Sequence, residues 1–173
     1  MELLNRDGSP LNTLHSGEGL RVRLQYECHR DVPNLHFGLR IFSNLGVLLS
    51  DVQAWSLGQV IPLAPQGKGV AELEIDCLNL MPGTYYLGVW AGGLHEWYDV
   101  LDNVAKLEIE PCDYYGTGRG IERRLGLIFL PFRWTLSGDD RAATGAAGDH
   151  CTSGHDVDGA EPALSTSSFP GEP

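Results

Sequence analysis

The chain is short of positive charge. Twelve Lys and Arg stand against 23 Asp and Glu, leaving a net charge of −11, whereas a protein that neutralises phosphates needs a basic face. Nucleic acid and anionic membrane surfaces are therefore not the expected partners. No apolar run approaches the ~18 to 20 residues of a membrane span, and the start Met1-Glu2-Leu3-Leu4-Asn5-Arg6-Asp7 lacks the basic and apolar regions of a signal peptide. The expectation is a soluble, cytoplasmic protein. Cys28, Cys77, Cys112 and Cys151 lie far apart with no C-x-x-C pair, which leaves neither a zinc knuckle nor a thioredoxin motif. We read them as free thiols, with no metal and no cofactor implied.

Catalytic motifs are missing as well. Gln66-Gly67-Lys68-Gly69 is a turn with a lysine and does not complete a P-loop. Tyr115-Gly116-Thr117-Gly118-Arg119-Gly120 lacks the third spaced glycine and the following helix of a dinucleotide loop, and reads as a connection. No G-x-S-x-G is present, and His15, His29, His36 and His95 sit on separate segments. Glu96, Asp99 and Asp102 are candidates for a glycosidase pair only in the sense that any acid is. The expectation is a non-enzyme.

With 173 residues the chain fits one domain and a tail. From Thr135 onward seven acids and one base carry −6 of the net −11, and only Leu136, Val157, Leu164 and Phe169 are larger apolar residues. Such a composition cannot build a core, so residues 1–134 are read as the folded domain and 135–173 as an acidic, low-complexity, disordered tail. Proteolysis is expected to leave a core near ~15 kDa, at roughly 110 Da per residue.

The body shows no helical stripe and repeated alternation of period two. Leu20, Val22, Leu24, Tyr26 and Cys28 oppose Arg21, Arg23, Gln25 and Glu27. Leu35, Phe37, Leu39 and Ile41 oppose His36, Gly38, Arg40 and Phe42, and Asn44-Leu45-Gly46 turns the chain into Val47-Leu48-Leu49. The pattern returns over Val70–Ile75, Tyr85–Trp90 and Val104–Ile109. Short strands divided by Gly and Pro turns predict an all-β, Ig-like antiparallel β-sandwich. After Met81-Pro82-Gly83-Thr84, Tyr85 is either a corner tie through its hydroxyl or simply an inward aromatic.

The aromatics stand in unusual places. Tyr86 and Trp90 fall on the polar side of their strand, and Trp55, Trp97 and Tyr98 lie at or near loops. Aromatic faces flanked by hydrogen-bonding groups suit the C–H patches and hydroxyls of sugars. By parity Gly88 opens a gap between Tyr86 and Trp90, with both rings outside the core, while His36 and Arg40 face out from one strand and Arg23 and Gln25 from another; these flank the rings if the strands share one sheet, and an Ig-like order leaves open that the strands belong to opposite sheets. Trp90, Tyr86, Arg40, His36 and Gln25 are the expected carbohydrate-binding residues.

Asp7-Gly8, Ser16-Gly17-Glu18, Phe37-Gly38 with Ile41 and Gly46, Leu80 with Pro82-Gly83-Thr84-Tyr85, Asp102, Tyr115-Gly116-Thr117-Gly118, and Gly126 with Pro131 and Trp134 follow one another in an order and spacing that resembles the C-terminal domain of Wzt. Wzt is the ATP-binding subunit of ABC transporters that export O-antigen polysaccharide. The likeness covers nearly all of residues 1–134. It implies a β-sandwich that binds a cell-surface polysaccharide awaiting export, and a homodimer that can exchange an edge strand. The family domain follows a nucleotide-binding domain, and these 173 residues hold none, so the expected partners are ABC transporter subunits in trans, at the inner face of the inner membrane. The stretch Val47 to Ala54 lacks the family's Asn-Thr pair. Two other readings stay open: a ligand-free dimerisation module, and a small carbohydrate-active enzyme or its accessory domain.

Overall fold

A computed structural model describes residues 1–11 and 13–135. The segment read as a disordered tail therefore lies, apart from Thr135, outside the described residues.

Among the described residues nine strands form two sheets packed face to face: β1 (Glu2–Leu4), β2 (Leu14–His15), β3 (Leu20–Cys28), β4 (Val32–Ser43), β5 (Leu48–Gln53), β6 (Ile61–Ala64), β7 (Gly67–Ile75), β8 (Gly83–Gly92) and β9 (Trp97–Glu110). The smaller sheet runs β1-β3-β7 and the larger β2-β9-β8-β4-β5, with β6 pairing the start of β4. All pairs are antiparallel except β2 with β9. Splitting the first strand between the two sheets, its second part parallel to the last strand, gives the immunoglobulin-like sandwich that the alternation predicts.

The alternation decides which side of each strand is buried. Leu20 and Val22 of the small sheet meet Leu39, Ile41, Tyr85, Leu87, Leu107 and Ile109 of the large one in the main core. On the other face of β3, Arg21 and Arg23 stand directly opposite Glu74 and Glu72 of β7 and pair with them at 3.2 and 2.6 Å. These cross-strand pairs fix register on a face that burial does not.

Tyr85 is both things at once. It is fully buried, and its hydroxyl donates to the Met81 carbonyl at 2.7 Å, with the Leu127 carbonyl at 3.2 Å. The corner before β8 is thus tied to the C-terminal segment, which also bridges Leu80 through Ile128.

Several strands differ from the periodicity. Gly67 to Gly69 belong to β7 rather than to a turn. β9 starts seven residues before Val104 because it carries bulges: Leu87 and Val89 of β8 face Ala105 and Leu101, so β9 fits two extra residues opposite Gly88. An interrupted register has no clean alternation to read. Cys28 and Cys112 are free thiols, whereas Cys77 is disulfide-bonded, which corrects the reading of four free thiols; Cys151 lies outside the described residues.

Candidate functional site

The outer face of the large sheet carries the aromatic residues. Gly38 of β4 pairs with Trp90 of β8, and the indole lies across the glycine: a Cβ there would come within 2.2 Å of the Trp90 ring. A side chain at position 38 would have to displace the ring, so the glycine makes the seat. Trp90 Nε1 donates to Asp51 Oδ1 of β5 at 3.0 Å, which satisfies the indole N–H as the ring goes under cover.

Over Trp90 lie two further rings. Trp97 of β9 packs edge-on at 4.5 Å between centroids, and His36 of β4 edge-on at 5.4 Å. Trp55, in the 3-10 turn Ala54–Leu57 after β5, stands 5.4 Å from His36. His36 Nδ1 is 3.1 Å from the Asn34 carbonyl, and a carbonyl only accepts, so Nδ1 holds the proton. The ring's other nitrogen, Nε2, is then the acceptor. His36, Gln53, Trp55, Trp90, Gly92, Leu94, Glu96 and Trp97 border an open depression of about 200 Å³.

Beside it, Arg40 Nε reaches Asp51 Oδ2 at 3.4 Å, its Nη1 lies 3.9 Å from Asp102 Oδ1, and its guanidinium sits 5.3 Å from the Trp97 ring centre. Asp51 thus holds Trp90 with one oxygen and Arg40 with the other. The network sets the height and tilt of the aromatic floor.

The sequence-predicted residues divide. Trp90, His36 and Arg40 are brought together, on the face that parity assigns them. Trp90 is nonetheless buried, at 4% exposure, which corrects the expectation of a free ring outside the core. Its neighbours Trp97 and His36 close over it, and the exposed rings are Trp97 at 57% and Trp55 at 48%. Tyr86 shares the face but stands about 13 Å along the strand, at ~3.3 Å per residue, and does not border the depression. The expected gap at Gly88 is filled: a Cβ there would meet Asp102 Oδ1 at 3.1 Å and the Leu101 carbonyl at 3.2 Å, because the β9 bulge presses onto it.

Gln25 is on the other sheet, where its side chain contacts Glu2 at 3.5 Å. Arg23 is there too, paired with Glu72. The physical reason is the immunoglobulin-like order, which sends β3 and β4 to opposite sheets.

Sequence reasoning missed Asp51, Gly38 as the ring's seat, and the leading part of Trp97. Asp51 was not findable by alternation, since Leu49, two residues before it, packs against the core, and the register shift of β5 opposite Ile41 and Phe42 turns Asp51 to the outer face. Nor was Trp97, because strict alternation from Val100, which pairs with Trp90, puts Trp97 on the inner face; the bulge between Ala91 and Gly92 reverses it.

Two wider clefts lie elsewhere. One, of about 710 Å³ at the mouth of the sandwich, exposes inner-face side chains such as Leu24, Phe37, Val89 and Leu101. The other, about 770 Å³, is bordered by His15, Glu18, Asp76 and Asp113 at the opposite end. Among the described residues no group of three or more His, Cys, Asp or Glu is placed to hold a metal ion, and no helix is long and apolar enough to cross a membrane.

A family profile for the Wzt C-terminal domain matches residues 1–126. Among solved structures, one described as the crystal structure of the C-terminal domain of Wzt is similar, with a TM-score of 0.62 and 13% sequence identity, covering 79% of this chain and 80% of that one. At that identity the structural likeness speaks to the fold. No curated protein matches the chain.

Proposed function

The chain belongs to the Wzt C-terminal domain family, and on that premise we propose that its folded body is a non-catalytic module that binds a cell-surface polysaccharide, O-antigen-like, and presents it to an ABC exporter in trans, on the cytoplasmic side of the inner membrane. The observation that carries the reading is the outer-face depression. Exposed indoles of Trp97 and Trp55, a buried Trp90 beneath them, and the polar groups of His36 and Gln53 at its border give stacking surface beside hydrogen-bonding groups, the combination a sugar ring needs. The wider mouth of the sandwich also sets rings, Tyr26, Phe37 and Tyr98, beside polar groups such as Gln25, His29 and Arg30, but neither exposed indole lies there.

Within this reading Trp97 and Trp55 touch the glycan, while Trp90, Arg40 and Asp51 position them. Titration of the protein with the polysaccharide of its own cell surface, followed by tryptophan fluorescence, is the test. Trp97→Ala and Trp55→Ala should each weaken binding by roughly 1–2 kcal/mol, about tenfold, with thermal unfolding nearly unchanged because both rings are half exposed. Normal binding by both variants would overturn the proposal.

The homodimer is part of the same proposal. β9 is paired by β2 only at Ile109 and Glu110, so from Trp97 to Glu108 its outer edge has no strand partner among the described residues. Leu125, Leu130, Phe132 and Trp134 are exposed apolar residues on the segment that follows. A long apolar edge and an apolar trailing segment in one chain favour their pairing between two copies.

A further inference from the structure

The depression takes uncharged sugar residues, we infer, and rejects acidic ones; this rests on the glycan reading above and names the chemistry of the ligand. Among the described residues no Lys or Arg borders the depression, and Glu96 is the one acid there. The nearest cation on the face is Arg40, and it is already committed. Its Nε faces Asp51, its Nη1 lies toward Asp102, and its plane is set against Trp97. Two carboxylates therefore surround one guanidinium, leaving this patch with an excess of negative charge.

A uronate or phosphate laid on Trp97 would lose part of its hydration against the indoles with no free cation to replace it, and would meet Asp102 and Glu96 as like charges. To recruit Arg40 it would have to break the link through Asp51 that also holds Trp90. Hydroxyls face no such barrier. The His36 Nε2 accepts, the Gln53 amide accepts or donates, and the indoles take the C–H faces.

The experiment has two arms. In the first, soluble neutral polymers (mannan, galactan and dextran) and polygalacturonate are titrated into the full chain at about 0.15 M salt, where the Debye length is ~8 Å. At least one neutral polymer should bind, with affinity independent of salt, and polygalacturonate should bind at least about tenfold more weakly. Preference for polygalacturonate at the Trp97 site overturns the inference and leaves the glycan reading standing. Failure of every polymer overturns both.

The second arm needs no ligand. In a Trp134→Phe background the remaining indoles are Trp55, Trp90 and Trp97, and their fluorescence is quenched in turn with iodide, caesium and acrylamide. With each constant divided by that for free N-acetyltryptophanamide, iodide should be the weakest quencher. Normalised iodide quenching at least equal to that of caesium would show an accessible positive charge at the depression and overturn the inference whatever the polymers do.

Discussion

Gly38 and Trp90 show how a single missing side chain organises the candidate site. The indole occupies the volume a Cβ would need, so Gly38→Ala should displace the ring and cost about 1–3 kcal/mol by overpacking, while Trp90→Ala should cost roughly 3–5 kcal/mol by emptying a filled site. Both variants should lower the unfolding temperature and lose glycan binding, in contrast to Trp97→Ala, which should lose binding alone. Differential scanning fluorimetry beside the polymer titration separates the two classes. A Trp90→Ala protein of wild-type stability would show that the ring is held by less than its burial implies.

At the scale of elements, the corner before β8 is the joint between sandwich and C-terminal segment. Burial raises the Tyr85 phenol above its usual value of 10.0, with Arg123 opposing the shift. A group whose folded pKa is raised contributes stability that is complete below the unfolded value and is lost as pH climbs through the folded one. The tie therefore holds at neutral pH and fails above about pH 10. Tyr85→Phe removes one buried hydrogen bond and should cost about 1–2 kcal/mol near neutrality. The gap between wild type and variant in urea unfolding should close as pH rises past 10.0. A constant gap from pH 7 to 11 would mean that the hydroxyl contributes through packing and not through its proton.

For the whole molecule the question is whether one copy or two meets the polymer. Phe129 is buried with Met81, Tyr114 and Ile121 in a small cluster of its own chain, so deleting the segment would damage the body, but Phe132 and Trp134 are exposed at 60% and 78%. The double variant Phe132→Ser, Trp134→Ser should shift the protein from dimer to monomer in sedimentation with little change in folding. Two copies would place two depressions on one assembly, so a long polymer should bind the wild type ten- to a hundredfold more tightly, as an order of magnitude, than a short oligosaccharide does. The monomeric variant should lose that advantage and keep the oligosaccharide affinity. A wild-type monomer at micromolar concentration would sink the dimer.

Much of this protein is written locally. Period-two alternation in Leu20–Cys28, Leu35–Phe42 and Tyr85–Trp90 determined the strands and the face of each side chain, because successive residues of a strand point oppositely whatever the strand pairs with. The order of turns and motifs determined the family. Parity could place Trp90, His36 and Arg40 on one side of their strands, yet it could not say which strands share a sheet, and so it set Gln25 beside rings that the structure puts on the opposite sheet. Nor could it see the bulges of β9, which turn Trp97 outward and fill the gap at Gly88, since a bulge is a mismatch between two strands and exists only once they are paired. Burial of Trp90 was decided the same way, by a glycine on one neighbour, a carboxylate on the next strand and a ring from a third. Those three meet through hydrogen-bonded register across four strands, and that is a property of the folded sheet alone.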